Sequence, residues 1–325
     1  MFVLLVAVVS FLVTAATTPV LIRKFKDAGI TGEDRNKRGH PPIPEMGGLA
    51  IVAGLVAGIL LAVALSTLAA RAGIGEPIVE FKNLDVLFAA LGTILIIAIV
   101  GIFDDLVRLR QSVKALLPLI ASLPLVAVAA GHPTIFIPFI GKVYLPYIYP
   151  LLLIPLGVTV ASNLTNMLAG FNGLEAGMGL AACSGLAVVA WQLGKPEALV
   201  IMLGMMGSLL AFLIFNWYPA KVFPGDVGTL TIGVSIAAAV IIGNFEMAGV
   251  VVLLPYLADF VIKAKNRFPK EVLSTKLRGS RLTCPQILGL PSLLMNIFNG
   301  LRERTLVLTL IGIEVIFAAV ATLVW

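Results

Sequence analysis

Long apolar runs alternate with short polar clusters along almost the whole chain, and the clusters carry the chemistry. Apolar runs occupy 2–22, 47–68, 84–103, 113–130, 146–165, 176–193, 198–215, 227–243, 247–262 and 305–325. Each comes near the about 20 residues that a helix needs to cross a bilayer core. A chain in lipid must satisfy its backbone internally, and a helix does so segment by segment. The pattern therefore predicts an all-α fold, a polytopic membrane bundle of about ten helices forming one domain over 1–325. The first run has no basic stretch ahead of it and is longer than a signal-peptide core, so it is read as a retained helix.

Three clusters share one form. GIFDDLVRLR at 101–110, NLTNMLAGFNGLEAG at 163–177 and NWYPAKVFPGDVG at 216–228 place carboxylates, amides and glycines where apolar runs end. Asp104 and Asp105 are adjacent, and two carboxylates kept together at a membrane edge suit a shared cation or proton. Equally, they are a helix-terminating pair neutralised by Arg108 and Arg110. Lys114 opens the next run. Asn163 and Asn166, three apart, share a helix face, and Gly170 with Asn172-Gly173 ends that helix. An asparagine oxygen is a hard, uncharged ligand for Mg²⁺, and its amide can read a base edge or a sugar hydroxyl; helix capping is the plainer use of the same groups. Phe223 is suited to stacking on a planar ring. Asp226, framed by Gly225 and Gly228, has the form of a ligand position. Earlier, Pro41, Pro42 and Pro44 stiffen the approach to Glu45, and Gly47-Gly48 admits another backbone.

Composition and charge then orient the bundle. With 59% hydrophobic and 12% charged residues and a mean hydropathy of +1.06, the chain lies outside the range of soluble domains. Its basic residues concentrate beside the loops 23–46, 104–112, 166–175, 216–226 and 263–304, whereas the opposite loops hold Arg71, Lys82, Lys142 and Lys195. Short basic loops stay in the cytoplasm, so the site loops are expected there and both termini outside. The net charge of +6 then reflects anionic lipid headgroups and an anionic substrate, with no nucleic acid required. Tyr144, Tyr147 and Tyr149 read as an interfacial belt, and Cys183 and Cys284 are too far apart in topology to pair. A secondary transporter is the rival class, but transporters place their polar groups near the midplane. Here those groups fall at segment ends on one face.

In these clusters the chain resembles the polyprenyl-phosphate N-acetylhexosamine-1-phosphate transferases. The spacing NxxNxxAGxNGLExG at 163–177 and NWYPxxVFxGD at 216–226 looks like the dolichyl-phosphate branch of eukaryotes and archaea, not the bacterial branch with its DGLDG. The resemblance implies transfer of N-acetylglucosamine 1-phosphate from UDP-N-acetylglucosamine to dolichyl or another polyprenyl phosphate, releasing UMP, as the first step of lipid-linked oligosaccharide assembly for N-glycosylation. It implies Mg²⁺ as cofactor, with Asn166 and Asp226 as metal residues. Asp104 and Asp105 match the catalytic carboxylates and Lys114 a diphosphate-side lysine, while Glu45, Gly170, Asn172 and Phe223 match residues that hold the uridine. Another UDP-sugar or undecaprenyl phosphate stays open, and a homodimer is compatible with such a chain. One departure is visible. Lys265-Asn266-Arg267-Phe268-Pro269-Lys270 stands where the family often has a histidine motif, and the only histidines are His40 and His132. With Asn266 in the histidine position, Lys265 and Arg267 are expected to clamp the diphosphate.

Overall fold

The computed structural model describes residues 4–72, 81–137, 141–268 and 275–324. Among these, thirteen α-helices and three small hairpins follow the sequence pattern closely. The helices are α1 (Leu4–Asp27), α2 (Gly48–Ala72), α3 (Leu84–Val107), α4 (Gln111–Ala121), α5 (Leu123–Ala127), α6 (Ile154–Met167), α7 (Leu174–Gln192), α8 (Pro196–Asn216), α9 (Gly225–Gly243), α10 (Glu246–Val252), α11 (Leu254–Lys265), α12 (Leu290–Ile297) and α13 (Glu303–Val324). A π turn, Tyr149–Leu153, leads into α6. The protein is an integral membrane helical bundle.

Each of the ten apolar runs coincides with helix among the described residues, yet not all are single spans. Among the described residues eight helices are long and apolar enough to cross a membrane unaided; α10 and α11, bent by 58° at their junction, are a broken span or a re-entrant loop. The run expected over 113–130 is the shorter pair α4 and α5, broken at Ser122 beside Pro124. Pro124 has no N–H to give and its ring crowds the preceding turn. The pair begins at Gln111, beside the site described below, and the chain beyond it reaches Gly131, which abuts Tyr149 and the Ile241 carbonyl.

The bundle is built around α9, which is almost entirely buried and is packed by α2, α3, α6, α7, α8 and α10. Such close approach depends on small residues, since helices in lipid associate through packing and not through exclusion of water. A Cβ on Gly48 would lie 2.2 Å from the Gly228 nitrogen, and one on Gly101 would lie 2.4 Å from the Val227 Cα. The α2–α9 and α3–α9 crossings are thus backbone against backbone at the N-terminus of α9. By contrast α1 and α13 lie at the periphery, with wide lipid-facing surfaces.

Three antiparallel hairpins decorate the loops: β1 (Thr31–Glu33) with β2 (Pro42–Pro44), β3 (Thr134–Ile137) with β4 (Gly141–Tyr144), and β5 (Lys276–Arg278) with β6 (Arg281–Thr283). The first matters for the site, because its Thr31↔Pro44 register carries Glu45 to the mouth of α2. At the opposite end of the bundle Tyr149 is buried and bonds Glu246. Only Tyr144 and Tyr147 are exposed as an interfacial belt would require; Tyr149 instead ties α6 to α10. Cys183 and Cys284 are both free and buried.

Candidate active site

The ends of α3, α4, α6, α7 and α9 meet around one open cavity of about 730 Å³. Its construction begins with backbone groups that each helix end leaves unpaired. The first N–H groups of α2 are taken up by the third polar cluster: Gly47 donates to the Phe223 carbonyl at 2.9 Å and Gly48 to that of Pro224 at 2.8 Å, while the Phe223 N–H returns to Pro44 at 2.8 Å. The N-terminus of α9 is capped from another helix. Asp105 accepts from the backbone N–H of Asp226 at 2.7 Å and of Val227 at 3.2 Å, where a carboxylate is favoured by both hydrogen bonding and the helix dipole. Gly225 makes this possible: it has φ +67°, and a Cβ there would sit 2.5 Å from Asp105 Oδ2.

With α9 anchored in this way, Asp226 faces inward. Lys114 Nζ lies 2.7 Å from Asp226 Oδ1 and 2.6 Å from Asp104 Oδ2. Asn166 Nδ2 donates to the same Asp226 oxygen at 2.5 Å and to Thr229 Oγ1 at 2.8 Å. Asp104 Oδ1 accepts the Leu109 N–H at 2.9 Å, which aims Oδ2 at the lysine. So the adjacent aspartates divide: Asp104 pairs with Lys114 and Asp105 holds α9 in place. Neither pairs with Arg108 or Arg110 among the described residues.

The other walls come from the first loop and from the start of α7. Glu45, Phe223, Gly170 and the segment 31–35 line the cavity. Burial, then the charge of Asp226, raise the pKa of Glu45 above its ordinary value, while Arg108 and Lys114 act in the opposite sense. Gly170 donates its N–H to Glu175 at 2.7 Å and accepts from Asn36 at 2.8 Å. Asn163, though on the same helix as Asn166, turns to the Ala115 and Thr159 carbonyls.

Of the sequence candidates, the structure brings Glu45, Asp104, Asp105, Lys114, Asn166, Gly170, Phe223 and Asp226 to this one cavity. Asn172 is not among its lining residues: it is buried, with Nδ2 3.1 Å from Asp34, Oδ1 accepting from the Ala220 N–H at 2.9 Å and its own N–H 2.9 Å from Glu303. It braces the first loop against the third cluster and α13. Lys265, Asn266 and Arg267 are exposed at the end of α11 and also lie outside the lining. Asn266 bonds the Ile262 and Ile287 carbonyls at 2.8 and 2.9 Å; Pro269 and Lys270 lie outside the described residues. Three contributors went unread in the sequence. Thr229 is one helical turn from Asp226, and that spacing was its only signal; Glu175 stands inside the 163–177 motif but was given no role. Lys263 counted merely as a topology charge, yet it pairs with buried Asp259 at 2.6 Å and donates to the Met167 carbonyl at the end of α6.

Helices long and apolar enough to span a membrane that gather a lysine, three aspartates and an amide at their ends define an integral membrane protein with a charged cavity. The comparisons with known proteins agree. Residues 87–244 match the description "Glycosyl transferase family 4". A Saccharolobus solfataricus protein, provisionally named a UDP-N-acetylglucosamine–dolichyl-phosphate N-acetylglucosaminephosphotransferase, is 37% identical over 99% of this chain and 96% of its own. A Dictyostelium discoideum protein of that name is 26% identical over 91% of this chain and 81% of its own. A phospho-N-acetylmuramoyl-pentapeptide-transferase of Shouchella clausii is 31% identical over 86% and 85%. The chain belongs to glycosyl transferase family 4.

Proposed function

We propose that this protein transfers N-acetylglucosamine 1-phosphate from UDP-N-acetylglucosamine to dolichyl or a related polyprenyl phosphate, releasing UMP. The observation that carries this reading is Lys114 held between Asp104 and Asp226 on the floor of a polar cavity at the helix ends. A lipid phosphate attacks the sugar-bearing phosphorus of a nucleotide diphosphate: a new P–O bond forms and the bond to UMP breaks. Both reactants are anions, so the site must supply fixed positive charge. A phosphate monoester has a second pKa near about 6 and is largely ionised at neutral pH. A strong base is therefore unnecessary, and Asp104, spent on Leu109 and Lys114, serves to orient the lysine.

The donor set also fits a divalent cation. Asp226 offers a carboxylate, and Asn166 keeps its amide oxygen free because its nitrogen donates to Asp226 and Thr229. Asp104 Oδ2 is buried, with Lys114 as its partner. Hard oxygen donors, few in number, suit Mg²⁺, which keeps water and substrate phosphates in its remaining positions. Bound there, Mg²⁺ would offset charge on the diphosphate. Phe223 and Glu45 stand at the wall where a uridine would lie. The loops around the cavity are the basic ones, so the site faces the cytoplasm.

Purified protein incubated with polyprenyl phosphates and a panel of UDP-sugars tests the reading, with UMP and lipid product followed by mass spectrometry. UMP release that depends on UDP-N-acetylglucosamine and a polyprenyl phosphate is expected. Turnover with neither, or with another sugar only, sinks it.

A further inference from the structure

Within the cavity the cations are unequally placed. Lys114 is committed to two carboxylates. The other basic lining residues are Arg35 and Arg108, and neither guanidinium forms an ion pair or hydrogen bond with a described residue. Arg108 feels the charge of Glu45 without a direct contact, and a guanidinium exposed into an acidic cavity in this way is suited to a phosphate, which it can hold through two oxygens at once.

Their surroundings differ. Arg35 lies on the first loop, not on a membrane-spanning helix, between two buried residues that are both tied down, Asp34 to Asn172 and Asn36 to Gly170. Arg108 follows the last turn of α3. The outer face of that helix presents Ile99, Phe103 and Leu106, each more than half exposed, at i, i+4 and i+7: one apolar stripe along a membrane-spanning segment, ending two residues before the arginine. Arg108 also adopts φ +53°, a left-handed conformation that side chains other than glycine and asparagine rarely take. Its backbone N–H closes the helix on the Asp104 carbonyl at 2.8 Å. The side chain is thereby carried to the rim where the lipid-facing stripe meets the charged cavity.

We infer that Arg108 binds the phosphate monoester of the polyprenyl acceptor at the cavity rim, with the apolar stripe of α3 alongside the isoprenoid chain. The assignment rests on the transferase reading above and deepens it. An acceptor phosphate arriving from the membrane passes the guanidinium before it reaches Lys114, and a donor arriving from the aqueous side does not. The same phosphate chemistry is available from the diphosphate of the nucleotide sugar, so the test separates the two.

The protein in detergent is heated with a short-chain polyprenyl phosphate or with UDP-N-acetylglucosamine, and ligand-dependent stabilisation is compared between the native chain and Arg108→Gly. Glycine accepts the left-handed conformation, so the variant removes the charge without straining the backbone; Arg108→Lys restores the charge on the same stem. The expected result is that Arg108→Gly loses the stabilisation by polyprenyl phosphate and keeps that by UDP-N-acetylglucosamine, with partial recovery in Arg108→Lys. In steady state the KM for the lipid phosphate rises about tenfold or more, the usual effect of losing one charge-assisted contact, and the KM for the UDP-sugar stays within about twofold of its native value. Loss of the UDP-sugar response alone, or unchanged responses to both ligands, overturns the role of Arg108. A native chain that polyprenyl phosphate does not stabilise and that makes no lipid product overturns the transferase reading instead.

Discussion

Asp226 receives the Lys114 ammonium and the Asn166 amide on one oxygen, while its main-chain N–H is held by Asp105. Its side chain therefore bears on chemistry and its backbone on folding, and the two can be separated. Asp226→Asn is expected to fold, because the Asp105 cap and the Lys114–Asp104 pair both remain, but to lose at least about a hundredfold in kcat. The check is turnover measured beside the melting temperature; native activity in that variant would remove Asp226 from the site. Glu45 yields a prediction of opposite kind. Burial and the nearby Asp226 raise its pKa above the model-peptide value of 4.5. A raised folded-state pKa means the folded chain holds the proton more tightly, so this stabilisation is full below that value and is lost as pH rises through the folded pKa. Glu45→Gln should thus melt with the native chain at about pH 4 and above it at about pH 8, the gap widening with pH. Thermal unfolding across that range decides it, and a gap that shrinks as pH rises contradicts the assigned direction. How much of this was readable beforehand depends on the residue. The motif spacings picked out Asp104, Lys114, Asn166 and Asp226 as candidates through the resemblance they carry, since capping and charge neutralisation were open uses of the same groups. They did not reveal that Asp105 would be spent on capping α9, since the partner N–H groups lie 121 residues away.

At the scale of elements, the α2–α9 and α3–α9 crossings put the N-terminus of α9 where Asp105 can reach it. Gly101 allows the second of these. A side chain there would collide with the Val227 backbone, which cannot rotate aside as a flexible side chain can. Gly101→Ala should destabilise the detergent-solubilised protein by about 1–3 kcal/mol, whereas Gly312→Ala on α13, with nothing within 4 Å of the added atom, should be neutral. A melting series of the two variants measures this, and equal behaviour would discount the crossing. Helix existence was plain from hydropathy; helix continuity was not. Pro124 broke one expected span into α4 and α5 and Leu253 marks the bend between α10 and α11, because local backbone geometry, not average apolarity, decides whether a span runs straight. The short hairpins were also unread, as strands of three or four residues in loops leave no periodic signal.

For the molecule as a whole, the alternating path of the helices places every cavity-lining segment at one end and the Tyr149–Glu246 and Asn83–Glu197 contacts at the other. The basic loops predict a cytoplasmic cavity with both chain ends on the opposite face. A reporter fused after Trp325 is expected to signal from outside the cell or in the lumen; a cytoplasmic signal would refute that topology. Hydropathy and motif spacing were enough to determine a polytopic helical membrane protein and its family, because those properties are local or additive along the chain. Tertiary structure alone decided which polar groups share the cavity. Asn172 is turned into a brace with Asp34 and Glu303, Lys265 and Arg267 are left exposed outside, and Arg108 stands at the cavity wall with no ion pair among the described residues. Each outcome depends on which backbone groups distant segments leave unsatisfied when they pack, and no stretch of sequence contains both partners.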